Sequence, residues 1–138
     1  MTGRPFSEVV DTLKRCGLRP TRQRMALIKL LREAGDCHFT AEQLHELAAK
    51  SGQRISLATV YNALHQFTEA GLVREIVVDS GSSYFDTNTS DHHHFFFEDR
   101  RALEDIEGND VVISALPEPP EGTTVDRVDI VIRVKPSH

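Results

Sequence analysis

The sequence predicts an α+β chain with a helical first half and a strand-rich second half. Two observations support this. Up to Gly71, apolar residues recur at spacings of three and four, and beyond it they recur at two. Breakers also fall at the joints: Gly17, Gly35, Gly52 and Gly71 in the first half, and the run Pro117-Glu118-Pro119-Pro120 in the second.

Ser7 is placed to cap a first helix carrying Val10, Leu13 and Cys16 inward and ending at Gly17. Pro20 and Thr21 open a second, with Met25, Ile28 and Leu31 on one face and Gly35 as its stop. Thr40 and Gln43 form a capping box for a third, whose expected buried stripe is Leu44, Leu47 and Ala48. Ser56 caps a fourth, with core positions Leu57, Val60, Leu64 and Phe67. Residues 72–77 then alternate as a strand, Asp79-Ser80-Gly81-Ser82 reads as a turn, and residues 83–86 return. Two helices joined by a short glycine-containing turn, followed by a hairpin, predict a helix-turn-helix with a wing over residues 1–86. Residues 87–91 read as a polar hinge. Residues 92–138 read as a small α/β domain: strands at 94–97 and 101–106, one or two helical turns at 111–116, and a last strand with Val128, Ile130, Ile132 and Val134 on one face. So short a domain buries little surface alone, so a homodimer is expected.

Charge divides the chain. The net charge of −5 hides a basic head: residues 1–32 hold eight Lys/Arg against two acids, whereas residues 81–138 hold five against twelve. Only the head suits a polyanion. On the fourth helix Ala58, Thr59, Tyr61, Asn62, His65 and Gln66 lie off the core stripe, small or hydrogen-bonding and free of acid. A helix in a DNA major groove needs such a face, and Asn62 or Gln66 suits adenine. Arg19, Arg22 and Arg24 suit phosphates, and Lys14, Arg15 and Thr21 are further DNA-binding candidates.

Two cysteines, Cys16 and Cys37, make no disulfide framework and fit a reducing cytosol. No apolar run approaches the roughly 20 residues of a membrane span, and no secretory leader is evident at the N-terminus. The most unusual segment is Asp91-His92-His93-His94. In a strand His92 and His94 share a face and His93 takes the other. Two imidazoles near a carboxylate make half of a first-row metal site, with Asp86, Asp105 and His38 as further candidates. No nucleophile–base pair or phosphate-cradling loop points to an enzyme.

Residues 17–24 (GLRPTRQR), 38–42 (HFTAE), 58–64 (ATVYNAL) and 84–86 (YFD) together resemble successive motifs of the ferric uptake regulator (Fur) family, over roughly residues 6–106. The resemblance implies a dimeric winged-helix repressor of operator DNA, with a regulatory metal at the hinge. Carried over by position, its ligands fall on His38, Asp86, His92, His94 and Asp105, with Asp where Glu is usual at 86 and 105. Such nitrogen and oxygen donors suit Mn²⁺ or Fe²⁺, with Zn²⁺ as an intrinsically stronger binder. The family's structural zinc, held by paired cysteines, is not expected: Phe97 and Arg100 stand in the first cysteine pair, and no cysteine follows Cys37. These absences, the histidine run and Asn62 resemble the iron response regulator (Irr) branch. That implies a regulator of iron and haem homeostasis, responding to iron, to haem or to the haem-synthesis machinery, with His92, His93 and His94 as the haem candidates. The competing expectation is a zinc, manganese or peroxide sensor of the same family.

Overall fold

The computed structural model describes residues 5–79, 82–90, 92–107 and 110–137, which form two compact units, Met1–Thr89 and Ser90–His138. Ser80 and Gly81 of the expected turn, and Asp91 of the histidine run, lie outside the described residues.

Among the described residues the first unit, the head, holds four helices: α1 (Pro5–Arg15), α2 (Arg22–Ala34), α3 (Ala41–Lys50) and α4 (Leu57–Glu69). α1 starts two residues before the expected cap at Ser7, because proline is well suited to a first helical position. The other caps form as the sequence implies. Thr21 accepts from the Arg24 N–H, Thr40 and Gln43 close a reciprocal capping box, and Ser56 accepts from the Thr59 N–H. One core joins the helices, with Leu13, Leu27, Val60, Leu64 and Phe67 fully buried. Leu47 departs from expectation and is 42% exposed. At 100° per residue it lies about 120° round the helix from Ala41, and the buried stripe is Ala41, Leu44 and Ala48.

Three strands complete the head: β1 (His38–Phe39), β2 (Arg74–Asp79) and β3 (Ser82–Asp86), in the order β1-β3-β2. β2 and β3 are the expected wing. β1 is not among the expected elements, since two residues leave no periodicity to read. Its pairing with β3 sets His38 opposite Asp86 and Phe39 opposite Phe85.

The second unit carries β4 (His93–Phe97), β5 (Ala102–Ile106) and β6 (Val131–Val134), in the order β5-β4-β6. β4 and β5 pair antiparallel, with Arg101 at φ 50 in the turn between them. β6 runs parallel to β4 and starts at Val131, three residues later than the alternation suggests. The chain enters it through a clamp in which the Ile130 carbonyl accepts from the His94 N–H and the Ile130 N–H donates to His93 Nδ1. Residues 111–116 form no helix. Val111, Val112 and Ile113 are β-branched, the prolines begin at 117, and a lone turn cannot repay its nucleation cost.

Three substitutions grade this packing. Phe67→Ala should cost the full chain about 3–5 kcal/mol and Thr40→Ala about 1 kcal/mol, whereas Leu47→Ala should stay within about 0.5 kcal/mol. Urea unfolding followed by helical circular dichroism checks the order. A Leu47→Ala loss as large as that of Phe67→Ala would contradict the assigned stripe.

Candidate functional site

Strand register builds a histidine–carboxylate pair in each unit, because directly opposed residues of an antiparallel ladder share a face. In the head, β1 sets His38 opposite Asp86, and His38 Nε2 lies 3.9 Å from Asp86 Oδ2. The second oxygen, Oδ1, accepts the Asn88 N–H at 2.8 Å and so fixes the carboxylate plane. Asp86 is buried, and Arg74 of β2, also buried, is its opposite neighbour on the other side. The row His38–Asp86–Arg74 thus crosses the sheet. Sequence reasoning missed Arg74; an arginine at a strand's inward position was the only signal for it.

Nearby backbone holds this pair in place. Thr87 Oγ1 accepts the Cys37 N–H at 3.0 Å and donates to the Gly35 carbonyl at 3.0 Å, and the Thr87 N–H donates to the Cys37 carbonyl at 3.1 Å. Thr87 and Asn88, expected in the hinge, are therefore tied to the head. Burial pushes the Cys37 thiol up, and the Asp86 and Asp36 carboxylates add to this against a lowering hydrogen bond from Thr87.

In the second unit, β4 sets His94 opposite Asp105. His94 Nε2 and His92 Nε2 each lie 3.3 Å from Asp105 Oδ1, with the two rings 4.5 Å apart. His92 precedes the strand yet turns to the same side as His94. Its Nδ1 lies 2.7 Å from the Ser90 carbonyl, an acceptor, so Nδ1 donates there and Nε2 is the nitrogen turned to Asp105. A metal-binding histidine is commonly oriented in this way. His93 takes the opposite face, where its Nδ1 accepts the Ile130 N–H at 3.1 Å. Within each unit the grouped side chains offer only nitrogen and oxygen donors. That set fits a divalent first-row cation.

The DNA candidates all fall in the head. Ala58, Asn62 and His65 are exposed on α4, while Thr59, Tyr61 and Gln66 are half-buried. The Tyr61 hydroxyl donates to Glu42 Oε2 at 2.8 Å, and that bond pushes the phenol pKa up. Lys14, Arg15, Arg19 and Arg22 are exposed. Arg24 turns inward to Gln66 and to the Arg19 carbonyl, and Thr21 spends its hydroxyl on the α2 cap. Arg54, absent from the sequence candidates, shares a cleft of about 460 Å³ with Arg22. It lies just before the Ser56 cap of α4, where a second cation beside Arg22 suits a phosphate.

The model of the ferric uptake regulator family matches residues 15–116. The chain belongs to that family. Among curated family relatives, the peroxide operon regulator of Bacillus subtilis is 39% identical over 92 residues, 67% of this chain and 63% of its own length. The ferric uptake regulation protein of Shigella flexneri is 40% identical over 80 residues, 58% of this chain and 54% of its own. The chain thus spans just over half to under two thirds of these relatives. The ferric uptake regulator from Pseudomonas aeruginosa, solved with manganese, shares the fold at a TM-score of 0.69 and 23% identity, over 93% of this chain and 97% of that one.

The geometry separates the three adjacent histidines. His94→Ala should lower Mn²⁺ affinity at least about tenfold, whereas His93→Ala should leave it within about twofold. Calorimetric titration of the full chain checks this, and equal losses would contradict the assignment of faces.

Proposed function

We propose that this chain is a metal-responsive, DNA-binding transcriptional regulator that acts as a homodimer on operator DNA. The observation that carries the reading is the braced histidine–carboxylate pair in each compact unit. On this reading His38 and Asp86 of the head join His92, His94 and Asp105 of the second unit around one divalent cation, Fe²⁺ or Mn²⁺ with Zn²⁺ as a competitor. The ion would supply a cross-link that prefers one arrangement of the two units, and so one spacing of the two heads on DNA. A ligand shifts an equilibrium only through such a preference.

Three further features support the reading. The head is basic, and Ala58, Thr59, Tyr61, Asn62, His65 and Gln66 of α4 include no acid, as a major-groove face requires. Val112, Leu116, Val125 and Ile132 of the second unit are exposed apolar residues that a second copy would cover. Family membership favours repression under metal control.

We read the signal as iron status. Between a cation and haem, the hydrogen bonds favour the cation: His93 Nδ1 is engaged by Ile130, His92 Nδ1 by Ser90, and His92 and His94 share Asp105. A peroxide-responsive regulator is the second reading, favoured by the identity to the Bacillus subtilis relative.

Loading with Mn²⁺ should tighten operator binding by about 5- to 150-fold over the metal-free protein. His38→Ala should remove that increment and keep the circular dichroism of the fold. Fluorescence anisotropy on operator duplexes selected from a random pool reads both. Equal affinity of the metal-free and Mn²⁺ forms would overturn the metal-responsive reading. Loss of binding on peroxide treatment of Fe²⁺-loaded but not Mn²⁺-loaded protein would favour the second reading. Release by haem that survives replacement of all three histidines would exclude them as a haem sensor.

A further inference from the structure

The outward side of α4 is less free than its sequence suggests. The Tyr61 hydroxyl is committed to Glu42, and Thr59 Oγ1 accepts from Ser56 Oγ at 2.9 Å. Gln66 Oε1 accepts two bonds from one guanidinium, from Arg24 Nε at 3.2 Å and Nη2 at 2.8 Å. The third nitrogen, Nη1, donates to the Arg19 carbonyl at 2.9 Å. All three nitrogens of Arg24 therefore donate within the head. An arginine has no acceptor, so the carboxamide atom facing it must be the oxygen, and the orientation of Gln66 follows from chemistry.

That orientation changes what Gln66 can read. A carboxamide recognises adenine in the major groove with two bonds, its oxygen accepting from N6 and its nitrogen donating to N7. With its oxygen taken, Gln66 offers only the N–H groups of Nε2. These suit an acceptor: N7 or O6 of guanine, O4 of thymine, or N7 of adenine. Asn62 stands four residues earlier, one turn along the same face, and is exposed.

We infer that Arg24 is a positioning residue that makes Gln66 a donor-only base contact and leaves Asn62 as the adenine-reading carboxamide. The inference rests on the DNA-binding reading above and refines it. It also removes Arg24 from the phosphate contacts and leaves these to the remaining basic side chains, among them Arg19, Arg22 and Arg54.

The test is selection of duplexes from a random library by Mn²⁺-loaded full-length protein, followed by salt titration of the selected sites. Arg24→Met frees the Gln66 oxygen. It should change base preference at one position per half-site, by about 5- to 150-fold, and leave the slope of log affinity against log salt unchanged. Asn62→Ala should abolish an adenine preference at a different position. Gln66→Glu keeps a partner for Arg24 while removing the donor, so it should lose preference at the position Arg24→Met alters. This variant carries the test if Arg24→Met fails to fold. Arg24→Met weakening all duplexes alike and reducing the salt slope by about one would identify a phosphate contact and overturn the assignment. Unchanged preference in both Arg24→Met and Gln66→Glu would also overturn it. If the unsubstituted protein selects no sequence, the DNA-binding reading itself falls, and this assignment with it.

Discussion

Antiparallel pairing dictates which side chains face each other, and in this chain it sets an imidazole opposite a carboxylate twice. His38 meets Asp86 across β1 and β3, and His94 meets Asp105 across β4 and β5. A slip of one residue in either ladder would send one partner to the other face of its sheet. Register in the head is held by Phe39 and Phe85, which are buried and stacked beside the pair. In the second unit Phe96, fully buried two residues after His94, has the same effect. In each unit apolar packing thereby sets the geometry of the polar pair.

One side chain in each unit's group is also oriented by a bond on its far side. Asn88 holds one oxygen of Asp86, and Ser90 holds the outer nitrogen of His92. A ligand set oriented before its ion arrives loses less conformational freedom on binding. On the proposed DNA-binding reading, α4 follows a similar principle: Glu42 and Arg24 hold Tyr61 and Gln66, so few rotamers would remain to be ordered on a duplex. Both α2, which carries Arg24, and α3, which carries Glu42, pack into the core that contains Phe67 of α4.

Much of this is legible in the sequence because helical signals are local. Thr21, Thr40 and Ser56 each announce a cap within three residues of the N–H they bind. The unanticipated features depend on distant residues. β1 exists because β3, more than forty residues later, offers it a partner. Arg74 is buried in the row containing His38 and Asp86, a neighbourhood no local period reveals. A spacing of three from Leu44 points Leu47 inward, and the finer angle set by Ala41 and Ala48 decides otherwise. The candidate ligands are legible as residue types. The division of His93 from His94 is legible as well, since period two is intrinsic to a strand, whereas His92 lies before β4 and its place beside His94 is not fixed by that period. The bonds that hold Arg24 to Gln66 are not legible, because they join positions 42 residues apart.

In the proposed function the two histidine–carboxylate pairs are halves of one site. Metal stoichiometry of the full chain tests this most directly, measured by equilibrium dialysis with Mn²⁺ on the unsubstituted protein, on His38→Ala and on His94→Ala. One ion per chain, with its affinity lowered in both variants, is the expected result. Two ions per chain, each lost in only one variant, would contradict it.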